Sequence, residues 1–248
     1  LTPLDFDFLR LACVDSTNSE AARRVRTGEI TVPTVLYARE QSAGRGTRGR
    51  VWHSQPGNFQ GSFVFPLPDD WENLGLIVYP IALATRAVIA EAAPSAVAHV
   101  KWPNDILLNG AKCSGSLHET VHVMGRRWFV GGIGVNLRWK PPEGLIYAAC
   151  ALADHTGETP SVDAFARRLA TAIAHWIRVW HMSGFAAICC QYLNVAAGYR
   201  DTIEVRLRGD YSEPLIGVFV DINENGGLVL QCKGEKKVIY AADIFPGF

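Results

Sequence analysis

Between Gln41 and Arg50 the chain reads Gln-Ser-Ala-Gly-Arg-Gly-Thr-Arg-Gly-Arg, with glycines at Gly44, Gly46 and Gly49 interleaved with arginines at Arg45, Arg48 and Arg50. Glycine lets a backbone close tightly over a ligand, and the forked guanidinium donates in pairs to phosphate or carboxylate. Four arginines (Arg39, Arg45, Arg48, Arg50) against Glu40 leave a local charge of +3 over twelve residues. Such a segment reads as a loop able to order around an anion; the same composition suits a solvated loop or an RGG-like nucleic-acid segment. It is not a P-loop, because no Gly-Lys-Ser/Thr follows. A second group is Lys101-Trp-Pro-Asn-Asp105. Pro103 biases Trp102 away from helix, so Lys101 ends a strand and Asn104 and Asp105 follow in the turn. A cation, an amide and a carboxylate at one sheet edge form an inventory for gripping a nucleotide with its metal. Asn-Asp after Pro is also ordinary turn chemistry. Lys112-Cys-Ser-Gly115 brings a second lysine, and Gly131-Gly-Ile-Gly-Val-Asn136 puts glycines in a strand, where they signal a bulge or a ligand against the backbone. With only 6 lysines against 18 arginines in the chain, two lysines in such short segments carry weight.

These residues need elements to hold them. Thr17-x-x-Glu20 has the pattern of a capping box and opens a helix over 18–26, stopped by Gly28. Strands are expected at 32–39 and 62–65. A core helix runs from Leu76 to Ala93, starting close to Pro80. Short strands follow at 97–102, 106–108, 114–123 and 127–137, with Asn109-Gly110 as a strong hairpin turn and Met124-Gly125 as a weaker one. Ser161 caps a long helix over 162–182 whose Phe165, Leu169, Ile173, Trp176 and Trp180 form an apolar stripe for the core. From Tyr199 the pattern is all β, with strands at 202–208, 215–222, 228–232 and 238–240 and a turn at Gly209-Asp210. Four or five short strands in so short a span point to a small barrel. A boundary near Ala197-Gly198 divides the chain into 1–197 and 198–248.

Composition bounds the rest. The chain has 248 residues, with 24 Lys+Arg balanced by 24 Asp+Glu. That balance argues against a protein that coats nucleic acid or an anionic membrane by bulk charge. Cysteines at 13, 113, 150, 189, 190 and 232 show neither CxxC nor metal-ligand spacing, as expected for reduced, mostly buried thiols in a cytosolic protein. With Asp5, Asp7 and Arg10 in the first ten residues, no signal peptide is expected there. The apolar stretch 74–84, interrupted by Gly75 and Pro80, is too short to span a bilayer.

Taken together, the chain resembles the biotin protein ligases of the biotin/lipoate ligase superfamily. The matching segments are Asp15-Ser-Thr-Asn18, the 41–50 loop with Trp52, Lys101-Trp-Pro-Asn-Asp105, Lys112-x-x-Gly115 with Glu119, and Gly132-x-Gly-x-Asn136. The resemblance implies an α+β fold: a mixed, mainly antiparallel sheet with packed helices, as in class II synthetases, plus a small C-terminal SH3-like β-barrel. It implies ATP and biotin as substrates with Mg²⁺, formation of biotinyl-5′-AMP, and transfer to a lysine of a biotin carboxyl carrier protein or similar acceptor domain. By position, Ser16, Thr17, Asn18 and Gln41 would line the biotin side. Gly44, Arg45 and Gly46 would order over the adenylate, with Arg48 and Arg50 in the same phosphate-facing loop and Trp52 beside it. Lys112, Gly115, Gly132 and Gly134 would meet the ureido and acyl ends, and Asn104 and Asn136 the nucleotide. Lys101, Lys112, Arg45 and Arg48 supply the cations, with Asp105 alongside, and no metal ligand is assigned. Thr47 stands where many members have arginine, which implies weaker loop closure and leakage of the adenylate. Ser116 stands where an aliphatic residue is expected, giving a more polar acyl pocket. With few residues ahead of Asp15, no DNA-binding domain and no DNA partner are expected; a homodimer is left open. Two other readings stay open: a lipoyl or octanoyl ligase or transferase, for which Cys113 is the one candidate thiol, and a non-catalytic protein that binds biotin or an adenylate.

Overall fold

The computed structural model describes residues 4–141, 148–207 and 213–246. The Arg48 side chain, the turn expected at Gly209-Asp210 and the end of the strand expected at Arg208 lie outside the described part.

A seven-stranded sheet forms the larger part, in spatial order β1-β2-β3-β7-β6-β5-β4. Its strands are β1 (Asp7–Val14), β2 (Thr34–Gln41), β3 (Phe59–Pro66), β4 (Ala98–Lys101), β5 (Asp105–Leu108), β6 (Ala111–Val123) and β7 (Arg126–Val135). Strands β1 and β2 run parallel and every other neighbouring pair is antiparallel. The sheet is therefore mixed and mainly antiparallel, with helices packed on it. β3, Phe-Gln-Gly-Ser-Phe-Val-Phe-Pro, shows the period-2 logic that sorts its faces. Phe59, Phe63 and Phe65 enter the main core, beneath α2 (Val78–Ala92) and α3 (Val162–Leu193). Gln60 and Ser62 point the other way, where α1 (Thr17–Thr27) packs beside the candidate site.

Several local expectations met competition. The capping box at Thr17 does not form. Ser16 occupies the cap position without a side-chain bond, and Thr17 is the first helical residue. Its backbone N–H donates to Gln41 Oε1 at 2.7 Å, so a side chain from β2 caps the helix. Glu20 turns outward to Arg23 and Arg24, because charge-assisted bonds to guanidinium outcompete a neutral backbone donor. Gly28 stops the helix in the left-handed region, at φ 77°. α2 begins before Pro80, preceded by a 3₁₀ turn at Leu74–Ile77. Together they make a 19-residue stretch, longer than the apolar run read from sequence, with the length and apolarity of a membrane span. Its buried face, including Ile81, Leu83 and Ile89, is part of the main core. α3 starts as expected, with Ser161 Oγ accepting from Ala164 N–H, but continues past Met182 across a break at Gly184 (φ 75°). Asn109 and Gly110 both take positive φ (47° and 83°), the hairpin turn their types foretell.

The C-terminal part is a five-stranded antiparallel sheet in order β11-β10-β9-β8-β12. It comprises β8 (Thr202–Leu207), β9 (Leu215–Ile222), β10 (Leu228–Cys232), β11 (Glu235–Ile239) and β12 (Ala242–Pro246). Among the described residues β11 and β12 do not pair with each other, so closure into the expected barrel is not seen. The two sheets share a core that includes Tyr192 and Phe219. Tyr79 on α2 ties the larger part to a turn of the second sheet. Its hydroxyl donates to the carbonyl of Gly226 (2.5 Å) and accepts from Trp102 Nε1 (2.9 Å). Trp102 is thereby buried as a strut, and the Lys101–Asp105 turn is held from behind.

Candidate active site

The open face of the sheet carries a cleft. Its wall on one side is the start of α1, with Ser16, Thr17 and Asn18; on the other it is β6, with Lys112, Gly115, Ser116 and Leu117. β3 and β7 supply the floor through Gln60, Gly132, Ile133 and Gly134, and the loop after β2 supplies the roof through Arg45, Gly46, Thr47 and Trp52. A chain of polar contacts fixes the narrow end. Ser62 Oγ donates to Asn18 Oδ1 (2.6 Å) and lies 2.9 Å from Thr17 Oγ1. Asn18 Nδ2 donates to Glu119 Oε2 (2.8 Å) and the Leu117 carbonyl (3.1 Å). Gln41, while capping α1, donates through Nε2 to Ser54 Oγ (2.9 Å). Two buried polar atoms at this cleft are unsatisfied, Trp52 Nε1 and Gln60 Oε1. A donor and an acceptor lacking partners in one cavity is the signature of a site built for a polar ligand.

Gly132 and Gly134 serve these side chains. An added Cβ at Gly132 would strike the Asn18 amide, and one at Gly134 would strike the Trp52 indole. The strand glycines thus leave room for Asn18 and Trp52, where the sequence left open a bulge or a ligand against the backbone. Gly44 is equally confined, beneath the Trp52 carbonyl.

A second, larger cleft adjoins the first, lined by Val51, Trp52, His53, Pro141, Ala149, Arg50 and Asn136. Gly46, Thr47, Trp52 and Lys112 line both clefts. Lys112 therefore stands where the two cavities meet. Its Nζ lies 2.6 Å from Asp105 Oδ1, and Lys101 Nζ lies 3.3 Å from Asp105 Oδ2. Lys101 lines neither cleft and sits, buried, behind Asp105. Burial pushes its pKa down, with Asp105 pulling the other way. In this geometry Lys101 backs the carboxylate that holds Lys112. Asp105 is engaged by two ammonium groups. Asn104 donates to the Ser116 carbonyl (2.5 Å) and lines the first cleft. Asn136, beside the second, donates to the Cys150 carbonyl (3.0 Å).

Carboxylates engage two of the loop arginines. Arg45 is paired bidentately with Glu119, and Arg50 Nη2 lies 2.8 Å from Asp243 Oδ1 on β12. Cys113 is fully buried, and its neighbour Cys150 and its burial push the thiol well above the ordinary range. It lines neither cleft and offers no nucleophile. Sequence reasoning missed Gln60 as a lining residue; the alternation of Gln60 and Ser62 among phenylalanines was the available signal.

The Biotin/lipoate A/B protein ligase family matches residues 11–137, and the Biotin protein ligase C terminal domain matches residues 203–247. A "Biotin--[acetyl-CoA-carboxylase] ligase" of Paracoccus denitrificans is 35% identical over 243 residues, 96% of this chain and 99% of that protein. The chain belongs to the biotin/lipoate A/B protein ligase family. Another relative of this family member, the "Bifunctional ligase/repressor BirA" of Bacillus subtilis, is 30% identical and extends beyond it; 92% of this chain aligns with 71% of that protein. The fold is that of the Aquifex aeolicus biotin protein ligase solved with biotin and ATP, at a TM-score of 0.81 and 24% identity, covering 97% of this chain and 99% of that one.

Proposed function

We propose that this family member is an ATP-dependent biotin–protein ligase of the cytoplasm. The observation that carries the reading is the pair of clefts joined at Lys112. One is smaller and polar, fit for a small acid. The other is wider and more apolar, fit for a nucleotide. The reaction needs the acid's carboxylate oxygen to attack the α-phosphorus of ATP with expulsion of pyrophosphate, giving biotinyl-5′-AMP. The amine of an acceptor lysine then attacks the acyl carbon and releases AMP, losing a proton in the process. Both steps pass through increased negative charge on oxygen, which a fixed cation stabilises without reorganisation. Lys112, held by Asp105 at the junction, is placed to do this, and no covalent enzyme intermediate is required.

Ser16, Thr17, Asn18, Gln41 and Gln60 present the donors and acceptors for the biotin ureido end, with Trp52 packing over Gly134. Asn136 and the loop residues Gly46 and Thr47 border the nucleotide. Mg²⁺ enters as the counter-ion of the triphosphate, and among the described residues no group of three His, Cys, Asp or Glu is arranged to hold a metal. Asp105, which lines the first cleft, is engaged by Lys101 and Lys112, and Glu119 on the same strand as Lys112 by Arg45. The acceptor is a carrier domain of a biotin-dependent carboxylase. Past Ser116 the outer edge of β6 has no strand partner among the described residues, and a groove there is bordered by Trp102, Asn225 and Tyr240. That edge is where an extended acceptor segment adds by strand pairing.

The test is exchange of pyrophosphate into ATP with biotin, lipoate or octanoate as the acid. Exchange with biotin alone is expected. Exchange driven by lipoate or octanoate would transfer the assignment to those acids. Lys112→Ala should lower biotin-dependent exchange by about 10²–10³-fold, the scale of losing one preorganised charge-stabilising group. Near-normal exchange would remove Lys112 from the site.

A further inference from the structure

Two thiols that the proposed reaction does not use meet behind the second cleft. β6 shifts register against β5 between Ile106↔Ser114 and Leu107↔Lys112, which makes Cys113 the extra residue of a bulge, a device that re-aims a side chain. On its other edge the same stretch meets a segment from beyond β7. Lys112 bridges Ala149 in parallel, its N–H donating to the Ala148 carbonyl (2.8 Å) and its carbonyl accepting from Cys150 N–H (3.0 Å). Cys113 and Cys150 are the next residues of the two segments. Neighbouring strands lie about 4.8 Å apart, inside the roughly 4.4–6.8 Å between Cα atoms that a disulfide spans. Both side chains enter the main core, and the two thiols are hydrogen-bond neighbours.

We propose that Cys113 and Cys150 are a dithiol that a hydroperoxide oxidises reversibly to a disulfide, with Cys150 as the attacking thiol and Cys113 as the resolving one. The surroundings of the two sulfurs set these roles. As a neutral thiol Cys150 donates to the Ala111 carbonyl (3.3 Å). Its anion is favoured by the Cys113 thiol first and by the His155 ring after it, and together they hold Cys150 below the usual thiol range despite burial. The His155 ring is half-buried, its Nδ1 lies 3.4 Å from Asn109 Nδ2, and its buried Nε2 has no hydrogen-bond partner. The ring therefore borders the pair on the side from which a small peroxide arrives. The Cys150 thiolate attacks the peroxide O–O bond, taking one oxygen as sulfenic acid and releasing the other as an alcohol or water. Cys113 then attacks that sulfur and expels water. In sum, two thiols and one hydroperoxide give a disulfide, an alcohol and water. The charge on Cys150 that pushes the Cys113 thiol up disappears in the first step, which frees Cys113 for the second. The bond would tie together the wall of the second cleft, where Lys112, Asn136 and Ala149 stand. Cys113 Sγ already lies 3.6 Å from the Asn136 carbonyl, and the Cys150 carbonyl accepts from the Asn136 amide.

The direct measurement is titration of the reduced full chain with hydrogen peroxide under native conditions, followed by alkylation, proteolysis and mass spectrometry. Cys13 and Cys190 are exposed and serve as internal references. The expected product is a Cys113–Cys150 linked peptide pair, lighter by two hydrogens, that appears while Cys13 and Cys190 still alkylate and that dithiothreitol returns to thiols. Cys113→Ser should stop the sequence at the sulfenic acid of Cys150, trapped as a dimedone adduct. Cys150→Ser should slow oxidation of Cys113 by about tenfold or more, because the remaining buried thiol has lost the reactive partner. His155→Gln should slow formation of the linked pair by about threefold or more, and it keeps the test open if a cysteine variant does not fold. A wild type in which Cys13 and Cys190 oxidise while Cys113 and Cys150 remain thiols would overturn the proposal. So would a Cys150 sulfenic acid that persists in the wild type with no linked peptide. Mass rather than activity is read throughout, so the outcome stands apart from the assignment of the ligase substrates.

Discussion

Replacing Asp105 by asparagine should be the most damaging isosteric change available near the site. Its carboxylate lies 2.6 Å from Lys112 Nζ and 3.3 Å from Lys101 Nζ. The Lys101 side chain is only 6% exposed and that of Asp105 13%. Taking one partner from a buried ion pair costs about 3–5 kcal/mol when the remaining charge stays. Two effects moderate that figure. Asp243 still attracts Lys101, and Lys101, whose pKa burial already holds below 10.5, can shed its proton. The expected loss is therefore about 2–3 kcal/mol at pH 7, or roughly 4–12 °C in Tm for a chain of this size. The sign with pH follows from proton counting. Between the lowered folded pKa and the unfolded value, the unfolded chain binds more protons, so stability rises with pH in that window. The deficit of Asp105→Asn should shrink in urea titrations repeated towards pH 10. Adding Lys101→Met should restore most of the stability while biotin-dependent pyrophosphate exchange stays low, because Lys112 still lacks its counter-charge. A loss under about 1 kcal/mol at pH 7, the range of an exposed pair, would refute the buried-triad reasoning, as would a double variant no more stable than the single.

Three further outcomes are expected. Gly132→Ala should weaken biotin binding by about tenfold or more in titration calorimetry, since the new methyl displaces the Asn18 amide from the bonds that orient it; retained affinity would mean that Asn18 does not face the acid. Burial lowers the His118 pKa to about 4, so the folded state resists protonating it while the unfolded state does not. Stability should then fall as pH drops from about 6.5 towards 4, by about 2 kcal/mol at pH 5, and His118→Leu should flatten that slope in urea titrations at pH 7 and 5. Thr47 lines both clefts, and Thr47→Arg adds a forked donor there, so escape of free biotinyl-AMP into a nucleophile trap should slow by about tenfold; unaltered escape would show that this loop position does not retain the adenylate.

Legibility from sequence followed the range of the forces involved. The hairpin at Asn109-Gly110 and the helix stop at Gly28 were readable because backbone sterics act within a few residues. β1 was missed because its exposed and half-buried residues carry no clean alternation; it is an edge strand made by pairing with β2 from Asp7↔Thr34 to Val14↔Gln41. β12 was missed in the same way, its ladder lying with β8. The failed capping box shows a local pattern losing to a remote partner, with Gln41 taking the backbone donor and arginines taking Glu20. In the site, residue types were legible but assignments were not. The glycines of β7 looked like a ligand surface, yet the groups that require them, Asn18 and Trp52, come from elements far away in the chain.

The same distinction alters the meaning of charge in this protein. Counted along the chain, the loop carries +3 between Arg39 and Arg50 and looks like an open anion receptor. In space, Arg39 lies beside Glu40, Arg45 is met by Glu119 and Arg50 by Asp243. Both remote carboxylates come from elements that the loop's own sequence could not reveal. Much of the apparent excess is thus compensated before any ligand binds. A receptor that depended on bulk positive charge would weaken steeply with salt. On the proposed assignment, a site built on Lys112 where two clefts meet would draw its selectivity from geometry instead. That is the arrangement suited to one small acid and one nucleotide meeting at a single point, and it explains how a chain with no net charge can handle a triphosphate.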